Sequence, residues 1–210
     1  MTTETKVLEA IEVSCVRGDR PLFRPLSFSL ASGELLHIRG HNGRGKTTLL
    51  RSLCGLSLPA NGEIRWQGQA IRALDEDYGQ YLAYIGHLNA LQAELSAWEN
   101  LRASTCLHLC TTTTSAIGEA LAYVGLEAVS ALSTKALSQG QKRRLALARL
   151  LLLAKPLWIL DEPFTSLDVQ SIRIIANLLT RHLTQGGMVV MASHQELPLG
   201  QASRQIDLDA

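Results

Sequence analysis

Eight consecutive residues, Gly40-His41-Asn42-Gly43-Arg44-Gly45-Lys46-Thr47, carry the most specific chemistry in this chain. They fit G-x-x-x-x-G-K-[ST], and Thr48 extends the run. The glycines let the backbone turn sharply with its N–H groups pointing inward, where a phosphate chain can lie. A helix beginning near Lys46 adds the positive end of its dipole. Lys46 then reaches the terminal phosphates, and the Thr47 hydroxyl suits Mg²⁺.

A second group stands far along the chain. Leu157-Trp158-Ile159-Leu160 runs straight into Asp161-Glu162. A surface Asp-Glu pair is commonplace, but one at the end of a buried strand lies where open α/β sheets bind ligands. Asp161 suits a metal role, and Glu162 suits a general base or an orienting group for water. His194 follows a third apolar run, Met188 to Ala192. A lone histidine there is ordinarily structural, yet imidazole is well suited to phosphate contact and proton handling near neutral pH.

Elements must bring these residues together. Alternation over Leu8 to Val16, a second run from Pro21 to Leu30 after a turn at Gly18-Asp19, and Glu34 to Gly40 read as strands. A turn at Pro59 to Gly62 precedes a short strand from Glu63 to Trp66, and Tyr81 to Gly86 is β-like. From Ala97 to about Ser133 the pattern is helical, interrupted at Thr111 to Ser115, with Ser115 a candidate cap, and again at Gly125. From Ser138 onward helix and strand alternate. Apolar strands alternating with helices imply an α/β fold whose parallel sheet is covered on both faces.

Composition narrows the function. The 210 residues are 46% hydrophobic with a net charge of +1, which fits one globular domain and no global field for nucleic acid. No 18-residue apolar run exists, and the N-terminus lacks the plan of a signal peptide, so the chain is expected in the cytosol. Cys15, Cys54, Cys106 and Cys110 lack zinc-ribbon spacing and fit free thiols in a reducing compartment. Cys106 and Cys110 flank His108 at helical spacing, which by itself is weak support for a metal or haem site.

Leu137-Ser138-Gln139-Gly140-Gln141, followed by the basic run Lys142-Arg143-Arg144, is similar to the signature motif of the ATP-binding subunits of ABC transporters. The chain resembles that family over nearly its whole length. The resemblance implies a P-loop NTPase with a mostly parallel core sheet, an N-terminal antiparallel β-subdomain and an inserted α-helical subdomain. A single domain over 1–210 is expected, with 1–86 and 138–210 as catalytic core and 87–137 as helical insert. The cofactors implied are ATP and Mg²⁺. Gly40 to Thr48 of one subunit and Ser138, Gly140 and Gln141 of a second copy would sandwich each nucleotide. Lys46, Glu162 and His194 take catalytic roles, and Thr47 and Asp161 attend the metal. Ser166-Leu167-Asp168 looks like the loop that reaches the other subunit. Read by charge alone, Lys142, Arg143 and Arg144 form a solvated helix face rather than a nucleic-acid patch.

Two positions depart from the family pattern. His87, after Tyr84-Ile85-Gly86, stands where a glutamine usually touches Mg²⁺ and water; neutral imidazole still offers one acceptor nitrogen. No aromatic stands where adenine is usually stacked, leaving Arg17 to stack through its guanidinium plane.

Gly86-His87, Trp66-Gln67-Gly68, Trp98-Glu99-Asn100-Leu101, Asp161 to Thr165 and Ser193-His194-Gln195 together resemble one subfamily, the haem exporter A type of bacterial cytochrome c maturation. That resemblance implies an integral membrane permease partner (CcmB-like), further cytochrome c maturation factors, and a peripheral place on the cytoplasmic face of the inner membrane. His37, His41 and His108 give no sign of haem binding. A transporter of another cargo, or a soluble ABC-type ATPase of DNA repair or translation, remains the alternative.

Overall fold

The computed structural model describes residues 7–18, 20–107, 112–194 and 204–209. Eleven strands and six helices are assigned among them. The first part holds β1 (Val7–Ser14), β2 (Val16–Arg17), β3 (Arg20–Pro21), β4 (Leu26–Ala31), β5 (Leu35–Arg39), α1 (Lys46–Leu53), β6 (Asn61–Trp66), β7 (Gln69–Ala70), α2 (Ile71–Leu74) and β8 (Leu82–Ile85). Then come α3 (Ala97–Leu107), α4 (Thr114–Tyr123), α5 (Gln139–Leu153), β9 (Leu157–Asp161), α6 (Val169–Thr184), β10 (Met188–Ala192) and β11 (Arg204–Asp207).

Alternation in β1 buries Leu8 and Ala10, then slips at a bulge where Glu12 adopts a φ of 50° before Val13 turns inward. Its neighbours form a four-stranded antiparallel sheet in the order β4-β1-β6-β7. The segment expected as one strand from Pro21 to Leu30 is broken: β3 stops at Pro21 and β4 starts at Leu26. Pro21 and Pro25 lack the N–H a continuous ladder needs. β6 begins at Asn61, two residues earlier than the turn signal suggested.

A five-stranded, wholly parallel sheet in the order β11-β5-β10-β9-β8 carries the core. Every residue of β9 and β10 is buried, as strands covered on both faces require. One face packs Leu36, Ile38, Ile159 and Val190 against Leu49, Leu50 and Leu53 of α1. The other packs Trp158, Leu160, Val189 and Met191 against α6, whose buried positions Ile175, Leu178, Leu179 and Leu183 follow the helical repeat. Asp168 caps α6 by accepting the Ser171 N–H at 2.7 Å.

A third cluster joins α3, α4 and one face of α5 through Leu101, Ile117, Leu121, Val124, Leu145 and Ala148. Leu147, Leu150 and Leu153 on another face of α5 belong to the sheet-side core. One helix therefore packs against both the helical cluster and the sheet. Thr113, not Ser115, caps α4, because its hydroxyl accepts the Ala116 N–H; Ser115 lies inside the helix and donates to Glu119. Cys15 and Cys54 are buried free thiols and Cys106 is an exposed one, whereas His108, Cys110 and Thr111 lie outside the described residues.

Candidate active site

Three parallel strands end at one edge. In register, Ala192 of β10 pairs with Ile38 of β5 on one side and Asp161 of β9 on the other. The next residues in each chain segment are therefore neighbours: Gly40 and its loop, Glu162, and Ser193-His194. The sheet supplies the site by register alone.

The loop after β5 needs its glycines. Gly43 and Gly45 have φ of 86° and 92°, conformations L side chains rarely adopt. A Cβ on Gly45 would lie 2.9 Å from Leu22 Cβ, so the loop also lies flush against the segment after β3. Gly45 sits at the N-cap of α1 with no side-chain cap, leaving the helix's first amides for a ligand. Lys46 is 8% exposed. Its ammonium donates to Gly40 O at 2.6 Å and His41 O at 3.2 Å, and stands 2.9 Å from His194 Nε2. Asn42 Oδ1 lies 2.7 Å from the same imidazole nitrogen. Accepting from Lys46 and donating to Asn42 require opposite tautomers, so one atom is contested by two partners.

Opposite, Thr47 Oγ1 donates to Asp161 Oδ2 at 2.7 Å. Glu162 adopts a φ of 49°, an unusual backbone state for a residue with a side chain. Its N–H donates to Ala192 O at 2.8 Å. Its carboxylate faces His194, with Oε1 3.4 Å from Nε2, and that buried Oε1 has no hydrogen-bond partner. A buried carboxylate oxygen without a close donor is costly, and a water or a substrate group in the cavity would satisfy it. A cavity of about 420 Å³ is lined by Asn42, Gly43, Gly45, Lys46, Thr47 and Thr48 on one wall. Asp161, Glu162, Thr165, His194, His87 and Arg17 complete the lining.

A hydroxyl and a carboxylate, both oxygen donors, fit a hard cation such as Mg²⁺ that completes its shell with phosphate oxygens and water. Among the described residues no cluster of three His, Cys, Asp or Glu side chains is placed to hold a metal.

Other expected site residues lie elsewhere. Gly40, His41 and Arg44 are not on the cavity wall. Asp209, beyond β11, accepts from the His41 N–H at 2.8 Å, meets His41 Nδ1 at 2.6 Å and pairs with Arg44 Nε at 2.7 Å. Against the burial that would raise it, these contacts hold the Asp209 carboxyl below its ordinary value. Ser138 and Gln141 form a reciprocal capping box at the start of α5, away from the cavity. Gly140 packs where a Cβ would stand 2.7 Å from Ser166 O, so the segment Ser166-Leu167-Asp168 rests on it.

Arg143 corrects the reading of a solvated basic face. It is 3% exposed, and its guanidinium donates to Asp161 O at 2.6 Å and Glu162 O at 3.0 Å. Arg144 also turns inward, onto Val124 O at 2.6 Å. Burial lowers the Arg143 pKa to about 10, leaving it charged at neutral pH. Arg143 and Asp209 are the parts of the site's framework that sequence reasoning missed.

The family described as ABC transporter matches residues 23–165. A cytochrome c biogenesis ATP-binding export protein, CcmA, of Nitrosospira multiformis is 48% identical over 94% of this chain and 96% of its own length. That of Haemophilus influenzae is 45% identical over 93% and 92%. Among solved structures, a putative ABC transporter ATP-binding protein from Pyrococcus furiosus superposes with a TM-score of 0.85 at 25% identity, covering 97% of this chain and 98% of that one. The α/β fold, the phosphate loop at the sheet edge and these likenesses agree: the chain belongs to the ABC transporter family of ATP-binding subunits.

Proposed function

We propose that this chain is the ATP-hydrolysing subunit of a membrane ABC complex in c-type cytochrome biogenesis, powering haem export or release of a haem-loaded chaperone. The observation that carries the catalytic half is the meeting of Lys46, Thr47, Asp161, Glu162 and His194 at one sheet edge. The likeness to CcmA proteins supports the pathway.

In this reading the amides of Asn42 to Thr48 and the Lys46 ammonium bind the phosphates of ATP. Thr47 and Asp161 would hold Mg²⁺, which would supply charge neutralisation on the phosphate oxygens, and His87 would offer a nitrogen from the cavity lining. Glu162 aligns and deprotonates the attacking water, and His194 donates to the γ-phosphate. Arg17 stacks on the base. Ser138, Gly140 and Gln141 act on the nucleotide of a second copy, since they lie outside this subunit's cavity. Residues 87–137 form a helical insert between the two parts of the catalytic core, 1–86 and 138–210. No helix among the described residues is long and apolar enough to cross a membrane, so we assign the membrane path to a permease partner. This chain then sits peripherally on the cytoplasmic face.

Tagging the chain and isolating it from its host's membranes in mild detergent tests the pathway. Recovery of a CcmB-like permease with haem-handling maturation factors is expected. Recovery of an unrelated permease would discard haem and keep the ATPase.

A further inference from the structure

All five N–H donors of the Arg143 guanidinium are engaged. Nε donates to Pro163 O at 3.3 Å, and Nη2 to Asp161 O at 2.6 Å and Glu162 O at 3.0 Å. Nη1 donates to Gly86 O at 2.9 Å and Asn89 Oδ1 at 3.1 Å. None of these acceptors is a carboxylate. Four are backbone carbonyls and one is a side-chain amide, so the group is built to hold chain direction rather than to pair charge.

The two sets of acceptors come from separate chain segments, and both segments reach the cavity: Asp161 and Glu162 line it directly, and so does His87, the neighbour of Gly86. Asp161, Glu162 and Pro163 present three successive carbonyls to one plane, which fixes the turn where Glu162 takes its φ of 49°. Gly86 and Asn89 bracket His87, and Arg149 adds a bond from Nη2 to Asn89 O at 2.9 Å. A guanidinium is rigid and planar, so its two edges cannot be repositioned independently.

We propose that Arg143 is a positioning residue. It sets the backbone, and hence the aim, of Glu162, and makes that aim depend on where the segment 86–89 lies. This rests on the reading of Glu162 as the group that activates water. A displacement of segment 86–89 shifts the fork and loosens the turn at Glu162, so the water-activating carboxylate answers to the position of that segment. Nucleotide affinity, set by the loop after β5, does not pass through Arg143.

The test compares Arg143→Lys and Arg143→Gln in the parent chain and in the Glu162→Gln background. Binding of a fluorescent ATP analogue and single-turnover hydrolysis are measured in each. We expect hydrolysis to fall roughly 10–100-fold with affinity nearly unchanged, because a misplacement near 1 Å costs about that much. In the Glu162→Gln background no further fall is expected, since the residue acts through Glu162. An equal fall in both backgrounds, or a matching loss of affinity, overturns the proposal. Should Arg143→Gln fail to fold, Arg143→Lys carries the same comparison. Asn89→Ala, which removes one acceptor in segment 86–89, should lower hydrolysis less and show the same dependence on Glu162. Unchanged hydrolysis in Asn89→Ala overturns the link to segment 86–89. If Glu162→Gln itself hydrolyses like the parent, the reading of Glu162 fails first.

Discussion

Thr47 and Asp161 begin a helix and end a strand, yet their side chains meet: Thr47 Oγ1 donates to Asp161 Oδ2 at 2.7 Å. The contact joins the start of α1 to the end of β9. It also puts two oxygen donors in the lining of the cavity that Lys46 shares.

Asp161→Asn keeps the shape and removes the charge. Hydrolysis should fall roughly 10²-fold or more, as expected when a pre-set electrostatic group is lost. Titrating Mg²⁺ at fixed ATP checks the cause: the defect should ease as the ion is raised. Thr47→Ser, which retains the hydroxyl, should behave like the parent chain.

Lys46 is buried among Gly40 O, His41 O and His194, so its ammonium is already aimed into the loop. Lys46→Ala should weaken ATP binding about 10–100-fold, the size of a lost hydrogen bond to a charged group. Equilibrium binding of a labelled nucleotide measures it, and unchanged affinity would remove Lys46 from the phosphate site.

Asp209 ties the far side of the same loop through His41 and Arg44. The contact is partly exposed, so its loss should be modest. Asp209→Asn should weaken ATP binding about two- to fivefold, with little change in the rate of bound nucleotide. A pure loss of rate at constant affinity would place Asp209 in a different role.

How much of this was legible in sequence depended on the range of the signal. The phosphate loop, Asp161-Glu162 and His194 could be located because each sits next to an apolar run that marks its own strand. Asp209 could not, because β11 gave no pattern and its carboxylate meets His41 across 168 positions. Arg143 was misread for a related reason. In a basic run it looks solvated, and four of its five acceptors are backbone carbonyls, which every residue possesses, brought in from 18 to 57 positions away. The break at Leu22 to Pro25 was local and missed because apolar residues continued through it. Pro21 and Pro25 interrupt the ladder there, and Leu22 lies against Gly45 instead.

His37 supplies a pH dependence of stability. It is 1% exposed on β5, and its Nε2 lies 3.0 Å from Ser193 O, next to His194. Burial, with Arg39 adding to it, lowers its pKa below 6.5, although the bond to Ser193 works the other way. The unfolded chain therefore takes up the proton first as pH falls. Stability from this residue is full above 6.5 and declines as pH drops from 6.5 toward the lowered folded value. Thermal melts across that window should show the decline, and His37→Gln should flatten it.

The most direct measurement compares the chain with Glu162→Gln, following ATP binding and hydrolysis on the same preparations. If Glu162 activates water, the variant binds ATP as the parent does and hydrolyses it roughly 10²–10⁴-fold more slowly. Hydrolysis at the parent rate would contradict the assignment of this sheet edge as the catalytic centre.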